Sequence, residues 1–500
     1  MKPLCLAAGA ALSLLLSNAL GEQYYQTKTP YQPQQDSASY EAPPAGYRPV
    51  YTQLLARHGS RGLSSFKTDL ALYNLWRLAQ REDALTPLGK QLGADLEAMM
   101  KANALLGYGV AGISKPGYGN ESLQGVQEHT QMAQRLYARL PSLFDSAARD
   151  GRKIIVVTSG KDRAVDSGYF FSRALVQRQP SLQPLVDAGT DRFLLYFHKL
   201  GKQDQVTDQL RPTYEASLAY QRWARSETLK AIEADIHARP GLKAAARTTL
   251  AGIFKPAFIE ALDAGQRSAA NTGTRDYTSA DGKFTNHLEG DGDTHIVNAT
   301  EAALALYEMY AAAADMQAEL KADFTRYIAP DQARVYAETE DAIAFYEKGP
   351  GRAENGDLNW RMAGHLLADF FKEADAIAAG DLSHAAKLRF AHAETVIPLA
   401  AAFGLSGMSE PLPAHLPYSY QHSNWRGDEV APMAANIQWD LYRNVAGETV
   451  VRMLYNEKET AFPPLCQAAR LGTYSKFYNY KLLRSCYNKI IVNVVDVDKQ

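Results

Sequence analysis

Short apolar runs, separated by longer stretches of helical spacing, set the rhythm of this chain. The first, TQLLARHG, follows Pro49-Val50-Tyr51 and ends at a glycine. The second, Ile154 to Val157 in KIIVVTSG, is β-branched and closes on a turn at Gly160. A third, LRFAHAE, spans 388–394, and a fourth, ETVVRMLYNE, spans 448–457. Each is followed by polar or turn residues, which predicts buried strands of a parallel or mixed sheet. Thr86-Pro87 supplies an N-cap hydroxyl followed by a proline at the first helical position, and LGKQLGADLEAMM continues with helical spacing. From 166 to 350 the chain is rich in Ala, Glu, Lys and Arg at helical periodicity, with few β-branched runs. The pattern therefore predicts an α/β core in two parts, 48–165 and 351–500, with a mainly α-helical insertion domain at 166–350.

The first 47 residues depart from this pattern. Residues 1–21 read as a signal peptide, with Lys2 before an apolar stretch from Leu4 to Leu16 and small residues after it. A membrane anchor is the alternative, but the stretch is shorter than the ~20 residues a spanning helix needs. The chain is therefore expected to be exported, to a periplasm or outside the cell, without membrane contact once the leader is removed. Residues 22–47 are rich in Gln, Tyr, Pro and Ser with almost no aliphatic side chains, and read as a disordered tether.

Composition narrows the classes further. The 500 residues are 46% hydrophobic and 22% charged, which excludes a mostly disordered chain. Lys+Arg number 53 and Asp+Glu 55, a formal charge of −2. No global basic excess points to nucleic acid, so any polyanion must be met by a local positive cluster. Three cysteines are too few for a disulfide scaffold. Removing the leader takes Cys5 and leaves Cys466 and Cys486, 20 positions apart, which in an exported chain imply a disulfide; two buried thiols are the alternative.

Several motifs carry less than they suggest. Gly107-Tyr108-Gly109-Val110-Ala111-Gly112 fits a dinucleotide fingerprint, but it follows a helix rather than a strand and reads as a helix end with a glycine loop. His287, Asp291, Asp293 and His295 in HLEGDGDTH suggest a metal, yet read better as an Asp/Gly turn ahead of a helix starting near Asn298. Asn120-Glu121-Ser122 and Asn298-Ala299-Thr300 are glycosylation sequons, relevant only in a host that modifies them.

The chemistry gathers at strand ends. Arg57-His58-Gly59-Ser60-Arg61 stands directly after the first run, at the edge where open α/β sheets bind ligands. Arginine forks match phosphate oxygens. After the second run comes Thr158-Ser159-Gly160-Lys161-Asp162-Arg163, which puts another guanidinium at a helix N-terminus already favourable for an anion. After the third run come His392 and Glu394, which share a face in an extended chain and so point into one site.

With these residues in hand, RHGSR, the Arg163 segment and HAE together resemble the histidine acid phosphatase (branch 2 histidine phosphatase) superfamily. His-Ala-Glu, in place of the commoner His-Asp, is similar to the multiple inositol polyphosphate phosphatase group. LTPLGKQLG, SGKDRAVDSGYFFSRAL, HAETVIPLAAAFGL, VAPMAANIQWDLYR and VVRMLYNE extend the likeness to about half the chain, all in the α/β portion. The resemblance implies a three-layer α/β sandwich and a monomeric phosphomonoesterase acting on inositol polyphosphates such as phytate. A broad acid phosphatase acting on sugar phosphates or phosphoglycerates is the alternative. It implies His58 as the phosphorylated nucleophile, Arg57, Arg61, Arg163 and His392 as the phosphate clamp, and Glu394 as the acid that protonates the leaving group. It implies no metal and no other cofactor, the arginines neutralising the phosphate. The chain departs from the family's x-Pro-Thr after the first motif, having Gly62-Leu63-Ser64, so a rigid proline is lost. Ser64 and Lys67 are expected as further substrate contacts.

Overall fold

Ten strands occur among the residues described by the computed structural model, 23–495. They are β1 (Arg48–Arg57), β2 (Lys153–Thr158), β3 (Val186–Thr190), β4 (Ala269–Thr278), β5 (Thr285–Ile296), β6 (His384–Ala391), β7 (Asn436–Arg443), β8 (Thr449–Tyr455), β9 (Lys458–Thr460) and β10 (Phe477–Asn479). β4 and β5 form a separate hairpin; the rest form one sheet in the order β10-β8-β7-β1-β6-β2-β3, with β9 paired to β8. β1, β6, β2 and β3 run parallel, while β7, β8 and β10 are antiparallel. The mixed sheet expected from the apolar runs is present. Its polar-studded strand β7, NIQWDLYR, was not among those runs.

Alternation along β1 explains the layering. Leu54 and Ala56 pack with Met132, Phe144 and Phe171, from the helices Leu123–Arg139, Pro141–Asp150 and Asp162–Arg178. Tyr51 and Leu55 pack on the opposite face with Phe370, Phe371 and Val396, from Gly364–Ala378 and Ala393–Phe403. Successive side chains on a strand point to opposite faces, so one buried strand serves both helical layers. Each large apolar side chain fully buried this way contributes about 1.5–3 kcal/mol. The three-layer α/β core is the observed architecture.

A second hydrophobic core is built from helices drawn from distant parts of the chain. Leu72, Leu75, Leu92 and Leu96, from helices Thr68–Arg81 and Gly89–Ala104, pack with Leu250, Leu306 and Tyr336 from helices much later in the chain. This core thus draws on residues 68–104 as well as on helices between 240 and 347. Conversely, the helix Asp162–Arg178 crosses the expected boundary at 165, and its Phe171 packs tilted against Phe390 of β6 with ring centroids 5.3 Å apart. β3 also extends the core past 166. Helical periodicity identifies a buried face but not the layer that buries it.

Two other expectations are corrected. HLEGDGDTH is not a turn: it lies in β5, paired with β4. His287 Nδ1 sits 2.7 Å from Asp276 Oδ1 across the hairpin, so strand pairing, not a loop, accounts for these residues. The following helix does begin at Ala299, with Asn298 Oδ1 accepting from Glu301 N at 2.9 Å. The stretch expected as a tether at 22–47 is ordered from 23 onward and packs against the body. Tyr31 is buried, its N–H donating to Glu128 and its hydroxyl to Glu457 (2.8 Å). Ser475 donates to Glu41 at 2.8 Å. Tyrosine rings and glutamine amides supply the area and hydrogen bonds that aliphatic residues supply elsewhere.

Thr86 caps its helix as expected, its hydroxyl accepting from Gly89 N at 2.9 Å. Gly107–Gly112 follows the helix Gly89–Ala104, with no strand before it. Cys466 and Cys486 are bonded, their Cα atoms 5.6 Å apart, tying the segment Pro464–Ala469 to the helix Tyr480–Val495. Among the described residues no helix is long and apolar enough to cross a membrane. The leader expected at 1–21 lies outside the described residues.

Candidate active site

Register brings the motifs together. Arg57 is level with Ala391 of β6, and Thr158 of β2 is level with Phe390, so the residues that follow β1, β2 and β6 leave the sheet at one edge. The pairing continues one residue further: His58 N donates to Ala391 O and Ala434 N donates to His58 O, both at 3.0 Å. The His58 and His392 rings stand 5.5 Å apart between centroids. His392 does not continue the strand, as extended spacing implied. It is the N-cap of the helix Ala393–Phe403, and Glu394 lies in that helix's first turn. The two share a site because a helix starts there, not because of strand alternation.

His58 is 2% exposed, and its Nδ1 lies 3.0 Å from Gly59 O. A carbonyl only accepts, so Nδ1 carries the ring proton and Nε2 keeps a free lone pair. Burial and the charges of Arg163, Arg57 and Arg61 hold its pKa well below the ordinary histidine range. The ring is therefore neutral at physiological pH. Gly59 is required by close approach: a Cβ there would lie 2.6 Å from Gly125 Cα. Gly59 N donates to Glu121 Oε1 at 2.8 Å, and Ser167 donates to the same oxygen.

Three guanidiniums surround this ring. Arg57 is anchored through Nη1 to the carbonyls of Thr27 and Ala431. Arg61 donates through Nη1 to Gly62 O at 2.7 Å. Nε of Arg57, Arg61 and Arg163 is in each case buried without a hydrogen-bond partner, as is Nδ1 of His392. Burial, opposed in part by Glu394, brings Arg57 down to about 10, and burial with the neighbouring guanidiniums does the same for Arg61. Both remain charged at neutral pH. A buried cluster of like charge with unused donors is a site built for an anion. His392 is fixed by Ser159 Oγ, 2.7 Å from Nε2, and burial holds its pKa well below the ordinary value.

Behind the loop lies a layer of acids that the motifs did not reveal. Ser60 Oγ is 2.7 Å from Glu128 Oε1 and 2.9 Å from Asp315 Oδ1, and Ser60 N donates to Glu128 Oε2 at 2.7 Å. One hydroxyl proton cannot serve both carboxylates. Burial pushes Asp315 well above the usual carboxylate range, so it holds its own proton. Burial likewise takes Glu121 up to about 8. These acids are isolated letters, Glu121 before and Glu128 within the helix Leu123–Arg139 and Asp315 just past the helix Ala299–Ala314, and only the fold shows that they share a backing layer.

Glu394 meets a different surrounding. Lys348 Nζ, just past the helix Pro330–Glu347, is 3.2 Å from Glu394 Oε1. Burial pushes the Glu394 carboxyl up, but Lys348 above all outweighs it and holds the pKa well below the usual range. An acid expected to begin protonated is thus ionised in the free site. His198, buried at the Phe197–Lys199 turn with its Nδ1 unpartnered, is brought down to about 4 by burial. Neither Lys348 nor His198 carried a sequence signal, since each stands alone among helical residues. Lys67 turns to the hairpin, 2.7 Å from Asp291 Oδ2, and Ser64 is exposed. Among the described residues no group of three or more His, Cys, Asp or Glu is arranged to hold a metal ion.

Residues 51–456 match the family model described as "Histidine phosphatase superfamily (branch 2)". Two relatives named multiple inositol polyphosphate phosphatase 1, from Gallus gallus and Homo sapiens, are each 29% identical, over 170 and 168 residues. Those alignments take in 31% of this chain and 36% and 33% of the relatives, so the chain matches about a third of the length of either. Crystal structures of a Bifidobacterium longum multiple inositol polyphosphate phosphatase, in complex with inositol hexasulfate and with phosphate, are 33% identical to this chain. They cover 93% of it and 97% of their own length, with TM-scores of 0.82 and 0.83. A phytase from D. castellii, 14% identical with a TM-score of 0.60, covers 95% of this chain and 85% of its own and shares the fold.

Proposed function

Since the chain belongs to the branch 2 histidine phosphatase superfamily, we propose that it is an exported phosphomonoesterase that hydrolyses inositol polyphosphates, phytate among them, through a phosphohistidine intermediate. The observation that carries this reading is the set of unpartnered arginine nitrogens around a histidine whose proton is tied to Gly59 O. The Bifidobacterium longum enzyme, with its inositol hexasulfate complex, supports the substrate class.

In the first step the His58 Nε2 lone pair attacks phosphorus and the bond to the leaving oxygen breaks, that oxygen taking a proton from Glu394. In the second, Glu394 takes a proton from water, the hydroxide forms the new P–O bond, and the electrons of the N–P bond return to Nε2. Arg57, Arg61 and Arg163, with His392, hold the three remaining phosphate oxygens and stabilise charge in both transition states. The free lone pair requires neutral His58, which its depressed pKa secures even in mild acid. The arginine charge does the neutralisation, and the mechanism needs no metal.

The test is phosphate release from phytate by purified protein, with ion chromatography of the intermediates, in the presence of EDTA. Stepwise appearance of lower inositol phosphates, undiminished by chelation, is expected. Loss of turnover in EDTA with recovery on adding a divalent metal would overturn the mechanism. Faster turnover of glycerol phosphate than of phytate would overturn the substrate class.

A further inference from the structure

A proton donor is of no use while a lysine keeps it ionised, and this site pairs the two. Glu394 is faced by Lys348 beyond the helix Pro330–Glu347, by His198 at the Phe197–Lys199 turn and by His392 at its own helix start. Arg57 at the end of β1, Arg61 after it, and Arg163 of the Asp162–Arg178 helix also feel its charge, as does Tyr220 of the helix Arg211–Trp223. Lys348 has a second anionic partner, Glu347 Oε2 at 3.2 Å. The side chains of Lys348 and Glu394 keep 16% and 33% of their exposure, so the pair is open on one side.

We propose that Lys348 reads the number of phosphates on the substrate, its ammonium passing from Glu394 to a phosphate beside the scissile one and so freeing the carboxyl to take up the proton it donates. This rests on Glu394 being the acid of the reaction. The leaving oxygen must sit on the Glu394 carboxyl, and that carboxyl is itself 3.2 Å from the ammonium. A neighbouring phosphate on the same leaving group is therefore delivered to the lysine. A phosphate dianion offers more charge than a carboxylate, and the lysine stem is flexible enough to follow it. Departure of the ammonium and arrival of a polyanion both favour the protonated carboxyl. The proton comes from solvent, rests on Glu394 and leaves on the alkoxide as the P–O bond breaks and the His58 N–P bond forms. A substrate with one phosphate has nothing to draw the lysine away.

The experiment compares Lys348→Met with the parent on three substrates. They are phytate, glycerol 2-phosphate (one phosphate, poor leaving group) and p-nitrophenyl phosphate (good leaving group). Expected are a KM for phytate raised about tenfold and a kcat for glycerol 2-phosphate raised severalfold, with little change on p-nitrophenyl phosphate. The basic limb of the glycerol 2-phosphate pH profile moves up by about one unit, because losing the ammonium raises the Glu394 pKa. Lys348→Arg, keeping the charge, restores the phytate KM. An equal change on all three substrates, or an unmoved glycerol 2-phosphate profile, would overturn the proposal. Glu394→Gln separates the layers. If it slows glycerol 2-phosphate no more than p-nitrophenyl phosphate, the acid assignment itself falls. If it discriminates and Lys348→Met does not, only the role of Lys348 falls.

Discussion

On the sheet side of the site, His58 is held by backbone: its N–H and C=O continue the pairing of β1 with its neighbours, and its ring is tied to Gly59 O. On the helical side, Glu394 is held by one lysine side chain that has a second carboxylate within reach. The first arrangement cannot shift without unzipping strand ends. The second can be exchanged by moving a four-carbon stem. In the proposed mechanism, chemistry common to every phosphate ester thus falls to rigid backbone, and recognition of the leaving group to replaceable ion pairs.

The contrast can be attacked from its strong end downward. His58→Ala removes the proposed nucleophile and should lower phytate turnover by about a thousandfold or more while circular dichroism and Tm stay near the parent. Residual turnover within tenfold would mean that the backbone-held ring is not the attacking group. Arg163→Ala, which opens the clamp without touching the strand ends, is expected to cost about a hundredfold in kcat/KM. If Arg163→Lys recovers it fully, point charge matters and the fork does not. Glu394→Gln should slow poor leaving groups by about tenfold to a hundredfold and leave p-nitrophenyl phosphate nearly unchanged, which competitive assays of the two esters would reveal.

The smallest effect concerns the acids behind the loop. Burial raises Glu121 to about 8, above its unfolded value near 4.5, so its contribution to stability is complete below about pH 4.5 and lost as pH rises towards 8. Glu121→Gln keeps an acceptor for Gly59 N and removes that loss. At pH 9 the variant should unfold about one or two degrees above the parent, and at pH 4 at the same temperature. Equal shifts at both pH values would mean that the acid is ionised in the fold.

The sheet side was also the legible side. Strand ends followed by Arg, His and Gly are contiguous in sequence, so RHGSR, the Arg163 segment and HAE could be read as one site before any geometry. β7 escaped notice because Asn436, Gln438 and Asp440 interrupt its apolar run; they are buried and paired, Asp440 with Arg139 and Arg452. The tyrosine-rich stretch before β1 was misjudged because its burial is aromatic and hydrogen-bonded. Lys348 and His198 were invisible for a different reason. Their meaning lies in contacts between segments far apart in the chain, and no local pattern records such a meeting.

The central position of β1 has a kinetic corollary. Its partners on either side, β6 and β7, lie roughly 335 and 380 to 395 residues further along the chain. A growing polypeptide therefore carries its RHG motif unpaired through most of synthesis, with a large loop-closure entropy still to be met. Folding of the centre must be a late, long-range event, and a fragment ending before β6 lacks both the neighbours of β1 and His392. Refolding should then be slow for a protein so rich in helix, and helical signal should return well before phosphatase activity does.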